Sequence, residues 1–312
     1  MHVIITGAGG FVGQTLVQRL LKDPSALPWT RLTLLDLNLT EVTQAPRVRT
    51  IRGSIADPAL LADALAEPAD VVFHLASVPG GAAERDYTLG RQVNLDATLA
   101  LLERLKNQPK PARLVFASTI AVYGSPLPSI VDDTTPLHPQ LSYGAQKLIG
   151  EILLDDFARR GWVDGIALRL PGIVARPPQP SGLLSAFMSD VFWKLRDGEP
   201  FVCPVGPDAV AWWMSVARCV DNLLHAARLT SEEVGERRAF ALPVLRLTMA
   251  QLIEGLVSRF GNNRRELVRY APNEALEASF GRYPPLLSPA AEALGFRHDG
   301  NLYDLIERTL TC

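Results

Sequence analysis

Cysteine is scarce in this chain of 312 residues, which has three widely separated ones, Cys203, Cys219 and Cys312. An odd number of cysteines with no CxxC pair argues against a disulfide framework and against a zinc site. The sequence therefore predicts neither covalent cross-links nor a metal centre.

Long apolar runs and an excess of one charge are lacking as well. No stretch approaches the roughly eighteen apolar residues that a membrane-spanning helix needs, and the N-terminus has no basic segment followed by an apolar one. The formal net charge of −2 shows no bias toward nucleic acid or an anionic membrane. We therefore expect a cytoplasmic protein with no nucleic-acid partner and no membrane association.

What the sequence has is 47% hydrophobic residues, enough for a large core, in a regular alternation of short and long apolar patterns. The short, branched runs predict buried strands at residues 3–6, 32–36, 48–52, 71–74, 114–118 and 165–170. The amphipathic segments between them predict helices at residues 11–22, 58–66, 87–106 and 143–160. This alternation predicts an α/β fold with a doubly wound parallel sheet of the Rossmann type.

The pattern changes after residue 169. The proline-rich segment ARPPQPSG (175–182) suits neither a helix nor a central strand. Helices are predicted beyond it at residues 183–196, 216–229 and 249–260, and a terminal amphipathic helix closes residues 288–310. We interpret residues 1–175 as one domain and residues 176–312 as a smaller, partly interleaved portion. Some segments of this portion are expected to pack in the core of the first domain.

A glycine-rich turn follows the first predicted strand directly. Gly7, Gly10 and Gly13 have the spacing GxxGxxG before a helix that begins near Phe11. Glycines there permit a tight turn, close approach of the backbone to a pyrophosphate and close packing of helix on strand, while the helix N-terminus offers N–H groups to the phosphates. We expect a dinucleotide to contact these glycines together with Phe11 and Val12.

Asp36 ends the second predicted strand, where a carboxylate can accept hydrogen bonds from the adenosine ribose hydroxyls. It would repel a 2′-phosphate, and the following Leu37 and Asn38 offer no cation for one. The sequence therefore favours NAD over NADP, and the alternative interpretation of Asp36 is a solvated turn residue. By this reasoning, residues 1–175 form the NAD-binding domain and residues 176–312 mainly the substrate-binding portion.

Tyr143 and Lys147 form a YxxxK pattern, whose spacing puts both side chains on one helix face. A tyrosine is a poor base at neutral pH, but an adjacent ammonium favours its phenolate, which can take the proton of an alcohol. The preceding predicted strand supplies hydroxyls at Ser118 and Thr119. The alternative is an ordinary exposed helix start.

Five motifs, in this order, resemble the extended short-chain dehydrogenases, the NAD-dependent epimerase/dehydratase superfamily: TGAGGFVG, HLAS (74–77), VNLDAT (93–98), ASTIAVYG (117–124) and YGAQK (143–147). The resemblance implies that Thr119 is the third catalytic residue, with Ser118 less favoured, and that His74 is structural. It also implies further cofactor contacts from Ser54, Ile55, Leu75, Ala76 and Asn94, besides Tyr143 and Lys147. Ser54 stands where the superfamily has an aspartate toward the adenine.

Further motifs limit the class of substrate that we expect. Nucleotide-sugar members typically carry an Arg-Asp pair toward the diphosphate, but Trp213 and Met214 stand at that place here. The segments SVPGGAAERDYTLGRQVNLDAT (77–98) and STIAVYGSPLP (118–128) more closely resemble the D-erythronate dehydrogenase group. This implies NAD-dependent oxidation of a small 2-hydroxy sugar acid, foremost D-erythronate to 2-dehydro-D-erythronate. The expected substrate contacts are Ser77, Gly81, Thr119, Tyr143 and Arg176.

Alternatives remain within and outside this chemistry. One is a nucleotide-sugar epimerase or a uronate-type dehydrogenase of the same superfamily, and another is a non-catalytic NAD-sensing protein. Two residues depart from the erythronate group, Gly80 and Thr119, where serine is usual. The family analogy further implies a homodimer that packs residues 87–106 and 143–160 against their mates.

Overall fold

The computed structural model describes residues 1–39, 45–178 and 184–310. Contacts within the chain define two compact units. The first comprises Met1–Gly124, Leu137–Leu170 and Val220–Ala241, and the second comprises Ser125–Pro136, Pro171–Cys219 and Leu242–Cys312. Cys312 itself, and the start of the helix predicted at residues 183–196, lie outside the described residues.

The described strands are short, as buried strands of an α/β protein are. In chain order they are β1 (His2–Thr6), β2 (Arg31–Asp36), β3 (Val48–Arg52), β4 (Val71–His74), β5 (Arg113–Thr119), β6 (Asp164–Leu170), β7 (Gly172–Val174), β8 (Phe201–Cys203), β9 (Val210–Ser215), β10 (Ala239–Ala241), β11 (Leu245–Thr248) and β12 (Val268–Tyr270).

The described α-helices range from single turns to five turns. They are α1 (Phe11–Lys22), α2 (Pro58–Ala64), α3 (Gly80–Arg85), α4 (Tyr87–Arg91), α5 (Ala97–Leu105), α6 (Ser142–Arg159), α7 (Phe187–Asp197), α8 (Val216–Arg228), α9 (Ser231–Val234), α10 (Met249–Phe260), α11 (Glu274–Phe280), α12 (Pro289–Ala293) and α13 (Leu302–Leu310). Among the residues that the structure describes, no helix has both the length and the hydrophobicity needed to span a membrane.

Seven strands of the first unit form one sheet in the order β10-β6-β5-β4-β1-β2-β3. All neighbouring pairs are parallel, which confirms the predicted doubly wound α/β fold. The strand order reverses between β1 and β4, and such a switch point opens a crevice at the carboxyl ends of the strands. Every residue of β5 is buried, as expected of a central strand covered on both faces.

The helix predicted at residues 87–106 is wrong as a single element. Helix α4 ends at Arg91, a π-helical turn spans Gln92–Asp96, and α5 begins at Ala97. Within this turn the buried side chain of Asn94 accepts a hydrogen bond from the amide of Val78 and donates to its carbonyl oxygen. The wider turn thus allows a polar side chain inside the helix to bind the loop after β4.

The second unit has its own core and two small sheets. Strand β9 pairs antiparallel with β11 and parallel with β7, while β8 pairs with β12. Its apolar cluster combines Trp213 of β9 with residues from α7, α10 and α13. Trp212 and Trp213 are almost fully buried, so both are core residues. The sequence did not predict these strands, because most are too short to show a period of two.

Candidate active site

The predicted site residues of the first unit follow the carboxyl ends of adjacent strands. Thr6 of β1 is in register with His74 of β4, and His74 with Phe116 of β5, which continues to Thr119. The glycine turn follows β1, Asp36 ends β2, and residues 75–77 follow β4. The parallel sheet therefore brings these segments to one edge, at the topological switch point.

The glycine turn is shaped by close backbone approaches. Gly7 has a φ of +73°, and a Cβ there would lie 2.5 Å from the amide nitrogen of Ala76. A Cβ on Gly13 would collide with the carbonyl oxygen of Gly7. Gly10 is the N-cap of α1, whose first turn contains no acidic side chain. The first turn, Phe11 to Gly13, is therefore compatible with a bound anion such as a diphosphate.

Asp36 is held at the end of β2 by two backbone donors. Its carboxylate accepts hydrogen bonds from the amides of Gly9 at 3.0 Å and Asn38 at 2.9 Å. A Cβ on Gly9 would collide with the carbonyl oxygen of Asn38, so only glycine permits this contact. Because each carboxylate oxygen accepts more than one bond, Asp36 keeps acceptor capacity for a ribose diol.

The segment after β3 contains Ser54 and Ile55, two of the predicted cofactor contacts. The hydroxyl of Ser54 accepts a hydrogen bond from the amide of Ala56 at 3.1 Å. Ile55 is buried in the apolar cluster of the first unit, packed among core residues. A role for Ile55 at the cofactor would therefore have to involve its backbone.

The loop after β4 approaches the glycine turn through its backbone. Leu75 and Ala76 are half-buried and Ser77 is exposed. The amide of Leu75 donates to the carbonyl oxygen of Thr6, which ties this loop to β1. Gly81 is half-buried in the first turn of α3. Asn94 is fully buried and bonded to Val78, so its side chain holds this loop in place.

His74 is built into the sheet and is not available as a base. Its ring nitrogens lie 2.8 Å from the hydroxyl oxygens of Thr6 and Thr98. Burial, with a smaller effect of the charge of Lys147, lowers the pKa of His74 to about 3. The imidazole is therefore neutral at physiological pH, in line with the predicted structural role.

Tyr143 and Lys147 lie one turn apart on α6, and the ammonium Nζ is 6.0 Å from the centre of the tyrosine ring. Tyr143 is half-buried, whereas Lys147 is 1% exposed. Burial lowers the pKa of Lys147 from 10.5 to about 7. The lysine can thus exchange between ammonium and amine near neutral pH, beside a phenol that could take or give a proton.

Thr119 and Ser118, the two candidate hydroxyls, have different surroundings. Thr119 ends β5 and caps the following 3₁₀ turn, where its hydroxyl oxygen accepts a bond from the amide of Ala121 at 3.1 Å. The Thr119 hydroxyl hydrogen remains to be donated. Ser118 instead donates to the buried carboxylate of Glu151. Thr119 thus keeps a hydrogen to donate, whereas the hydroxyl hydrogen of Ser118 is already donated to Glu151.

Two residues that the sequence analysis did not single out, Glu151 and Gln146, hold α6 against its neighbours. Glu151 forms a buried salt bridge to Arg169 of β6 at 2.8 Å and accepts from Ser118 of β5. Gln146 accepts a hydrogen bond from Asn94 at 2.8 Å. Both Glu151 and Gln146 follow Tyr143 at helical spacing, so the face they share with it was a signal available in the sequence.

Arg176, the predicted substrate contact beyond β7, lies in the second unit. It is exposed, its amide donates to the hydroxyl of Ser189, and its carbonyl oxygen accepts from the indole of Trp193. Its role toward substrate stays a prediction.

The local geometry fits a nicotinamide dinucleotide. Apart from the neighbours of Gly10 in the chain, no described residue has a side chain within 4 Å of the position that a Cβ on Gly10 would take. At the end of β2, the carboxylate of Asp36 is held in a fixed orientation by the amide of Gly9. A buried lysine and a tyrosine follow on α6, with a hydroxyl at the end of β5. Such a set can bind a dinucleotide at the switch point and move a proton next to it.

The sequence of this chain is similar to a known protein family and to individual members of it. Residues 3–236 match the family described as NAD dependent epimerase/dehydratase. A D-erythronate dehydrogenase from Cupriavidus necator is 40% identical, over 98% of this chain and 97% of its own length. Another from Haemophilus influenzae is 34% identical, over 99% and 98%.

Among solved structures, a protein described as the nucleoside-diphosphate-sugar epimerase from Agrobacterium tumefaciens superposes with a TM-score of 0.91. It is 35% identical, and the match covers 98% of this chain and 92% of that one.

Proposed function

Because the chain belongs to the NAD dependent epimerase/dehydratase family, we propose that it is a dehydrogenase for a small 2-hydroxy sugar acid, D-erythronate in the first place. The supporting observation is that its likeness to two D-erythronate dehydrogenases runs through both units, over 98% and 99% of the chain. The product would be 2-dehydro-D-erythronate.

In the proposed reaction, Thr119 donates a hydrogen bond to the substrate hydroxyl and holds it toward Tyr143. The Tyr143 phenolate accepts the hydroxyl proton, and Lys147 as an ammonium stabilises that phenolate. The chemistry that NAD would supply when bound is a hydride acceptor for the carbon that carries this hydroxyl. Asp36, at the end of β2, receives the adenosine ribose, and the first turn of α1 receives the diphosphate.

A nucleotide-sugar epimerase is the second candidate, supported by the description of the Agrobacterium tumefaciens protein. Against it stands the segment where an Arg-Asp pair is expected. Trp213 and Met214 are fully buried there, Trp213 in the core of the second unit, and neither offers a cation to a diphosphate.

The deciding test follows the absorbance of NADH with purified protein, NAD and a panel of aldonic acids, uronic acids and nucleotide sugars. We expect NADH with D-erythronate or another short aldonate. Tyr143→Phe should lower kcat by about 10²-fold or more, since it removes the proton acceptor, while NAD binding is retained. Tyr303→Phe, at an exposed tyrosine, is the matched control and should be unaffected.

Other outcomes would overturn the proposal. NADH from uronic acids alone would move the oxidised carbon to C1. Conversion of a nucleotide sugar without net NADH would identify an epimerase.

We also propose a homodimer through α5 and α6. Leu99 on α5 and Ile149 and Ile152 on α6 are exposed, which is unusual for apolar side chains on adjacent helices unless a partner covers them. Sedimentation velocity would measure the dimer and its loss in Ile152→Glu.

A further inference from the structure

Phe116 of β5 lies against the ammonium of Lys147. The Nζ atom is 4.7 Å from the centre of the phenyl ring, nearer than it is to the ring of Tyr143. A cation at this distance from an aromatic face is attracted by the ring quadrupole, more strongly where water is excluded. Phe116 and Lys147 are each 1% exposed, so this contact lies in the interior.

The ring of Phe116 is fixed from two further sides. A Cβ on Gly150 of α6 would lie 2.8 Å from its Cζ atom, so the helix leaves out a side chain where the ring stands. Glycine weakens the interior of a helix, which makes this omission costly unless the space is used. On the neighbouring strand, His74 stacks on the ring with centres 5.5 Å apart and planes 25° apart.

Lys147 can be either charged or neutral near pH 7 in this environment. His74, whose burial keeps it neutral, and Tyr143 on its own helix are titratable side chains that face it. Glu151, one turn further along α6, is engaged by Arg169 and Ser118. Burial lowers the pKa of Lys147 to about 7, and an uncharged lysine could not stabilise a phenolate.

We propose that Phe116 is a positioning residue that acts through Lys147: the face of its ring steadies the side chain as an ammonium beside Tyr143. The inference rests on the proposed role of Lys147 and deepens it by naming the group that favours its charged form. Removing electron density from the ring should therefore discharge the lysine without disturbing the packing.

The experiment replaces Phe116 by phenylalanines with increasing numbers of ring fluorines, which keep the shape of the ring while weakening its quadrupole. The chain has five lysines, Lys22, Lys106, Lys110, Lys147 and Lys194, so the Nζ resonance of Lys147 can be assigned with Lys147→Met. Its pKa is then titrated by NMR in the protein without NAD. We expect the pKa of Lys147 to fall stepwise with fluorination, by about one unit in total.

In the enzyme assay, the rising limb of kcat/KM against pH should move to higher pH in the same order, because the Tyr143 phenolate loses its ammonium. The matched control is the same series at Phe73, a fully buried residue of β4 on the opposite strand face from His74. A Lys147 titration that ignores fluorination at position 116, or follows it equally at position 73, would overturn the inference.

Failure of the proposed function is distinguishable. If the lysine titrates as expected but no acid yields NADH, the contact stands and the dehydrogenase proposal falls.

Discussion

Lys147 illustrates, at the scale of one residue, how a buried titratable side chain lowers the stability of the fold that contains it. Its pKa is about 7 in the folded chain and 10.5 in the unfolded one. Between these pH values the unfolded chain binds a proton that the folded chain does not, so stability falls as the pH falls through this window. Above pH 10.5 both states are neutral and the effect disappears.

Lys147→Met should therefore raise the free energy of unfolding at pH 7, by up to about 5 kcal/mol, with a gain that shrinks as the pH rises toward 10.5. Urea unfolding at several pH values measures it. Lys22→Met, at an exposed lysine, is the control and should change stability little. A Lys147→Met protein no more stable than the parent at neutral pH would contradict this account, even though the variant should be inactive.

The same residue shows where sequence reasoning stops. The YxxxK spacing was enough to put Tyr143 and Lys147 on one helix face, because helical periodicity is local. The burial of Lys147 and its contact with Phe116 depend on the packing of α6 against β5, which lies beyond the reach of the helix's own periodicity. No local pattern contains that contact, so it could not be predicted.

At the scale of elements, the π-helical turn Gln92–Asp96 connects the loop after β4 with helix α6. Asn94 in this turn bonds both backbone groups of Val78 and the side chain of Gln146. All three bonds lie where water does not replace them easily, since Asn94 is fully buried.

Asn94→Ala should destabilise the fold by about 2–4 kcal/mol, because the amide of Val78 and the side chain of Gln146 lose buried partners. It should also weaken NAD binding, since the freed loop contains the predicted contacts Leu75 and Ala76. Calorimetry measures both quantities. Asn107→Ala removes one hydrogen bond at an exposed asparagine just beyond α5 and should leave both nearly unchanged. Equal effects of the two substitutions would refute the assigned role of the turn.

Elements with a clear hydrophobic periodicity were predicted from the sequence, and elements without one were missed. The six strands and the helices α1, α2 and α6 had clear periodicity and are found within two residues of their predicted bounds. The break between α4 and α5 was missed because Gln92–Asp96 keeps a helical apolar pattern, and the bonds of Asn94 to Val78 join segments that no local pattern connects. Strand β10, with three residues, is too short to show a period of two.

For the whole molecule, the notable property is that neither unit is a continuous stretch of chain. Residues 220–241 belong to the first unit and supply β10, the strand that pairs with β6 at the sheet edge. The carbonyl oxygen of Leu229, in the same stretch, accepts a bond from the buried Arg113 of β5. A fragment of residues 1–175 would lack both the strand that pairs with β6 and the carbonyl oxygen that Arg113 bonds.

We expect the fragment 1–175 to be poorly folded, because β6 becomes an exposed edge and the buried Arg113 guanidinium loses an acceptor. Joining residues 220–241 to residue 170 through a flexible Gly-Ser linker should recover much of the structure. Circular dichroism and thermal unfolding compare the two. A fragment 1–175 that unfolds cooperatively at the temperature of the linked form would show that residues 220–241 are dispensable.

The position of β10 in the chain also sets an order of events during translation. Strands β1 to β6 leave the ribosome first, but their sheet lacks its last strand until residues 239–241 emerge. At ordinary rates of synthesis, the interval after β6 lasts roughly 4 to 14 seconds. For that time β6 of the nascent chain is an open edge strand, the kind of surface that can pair with another chain.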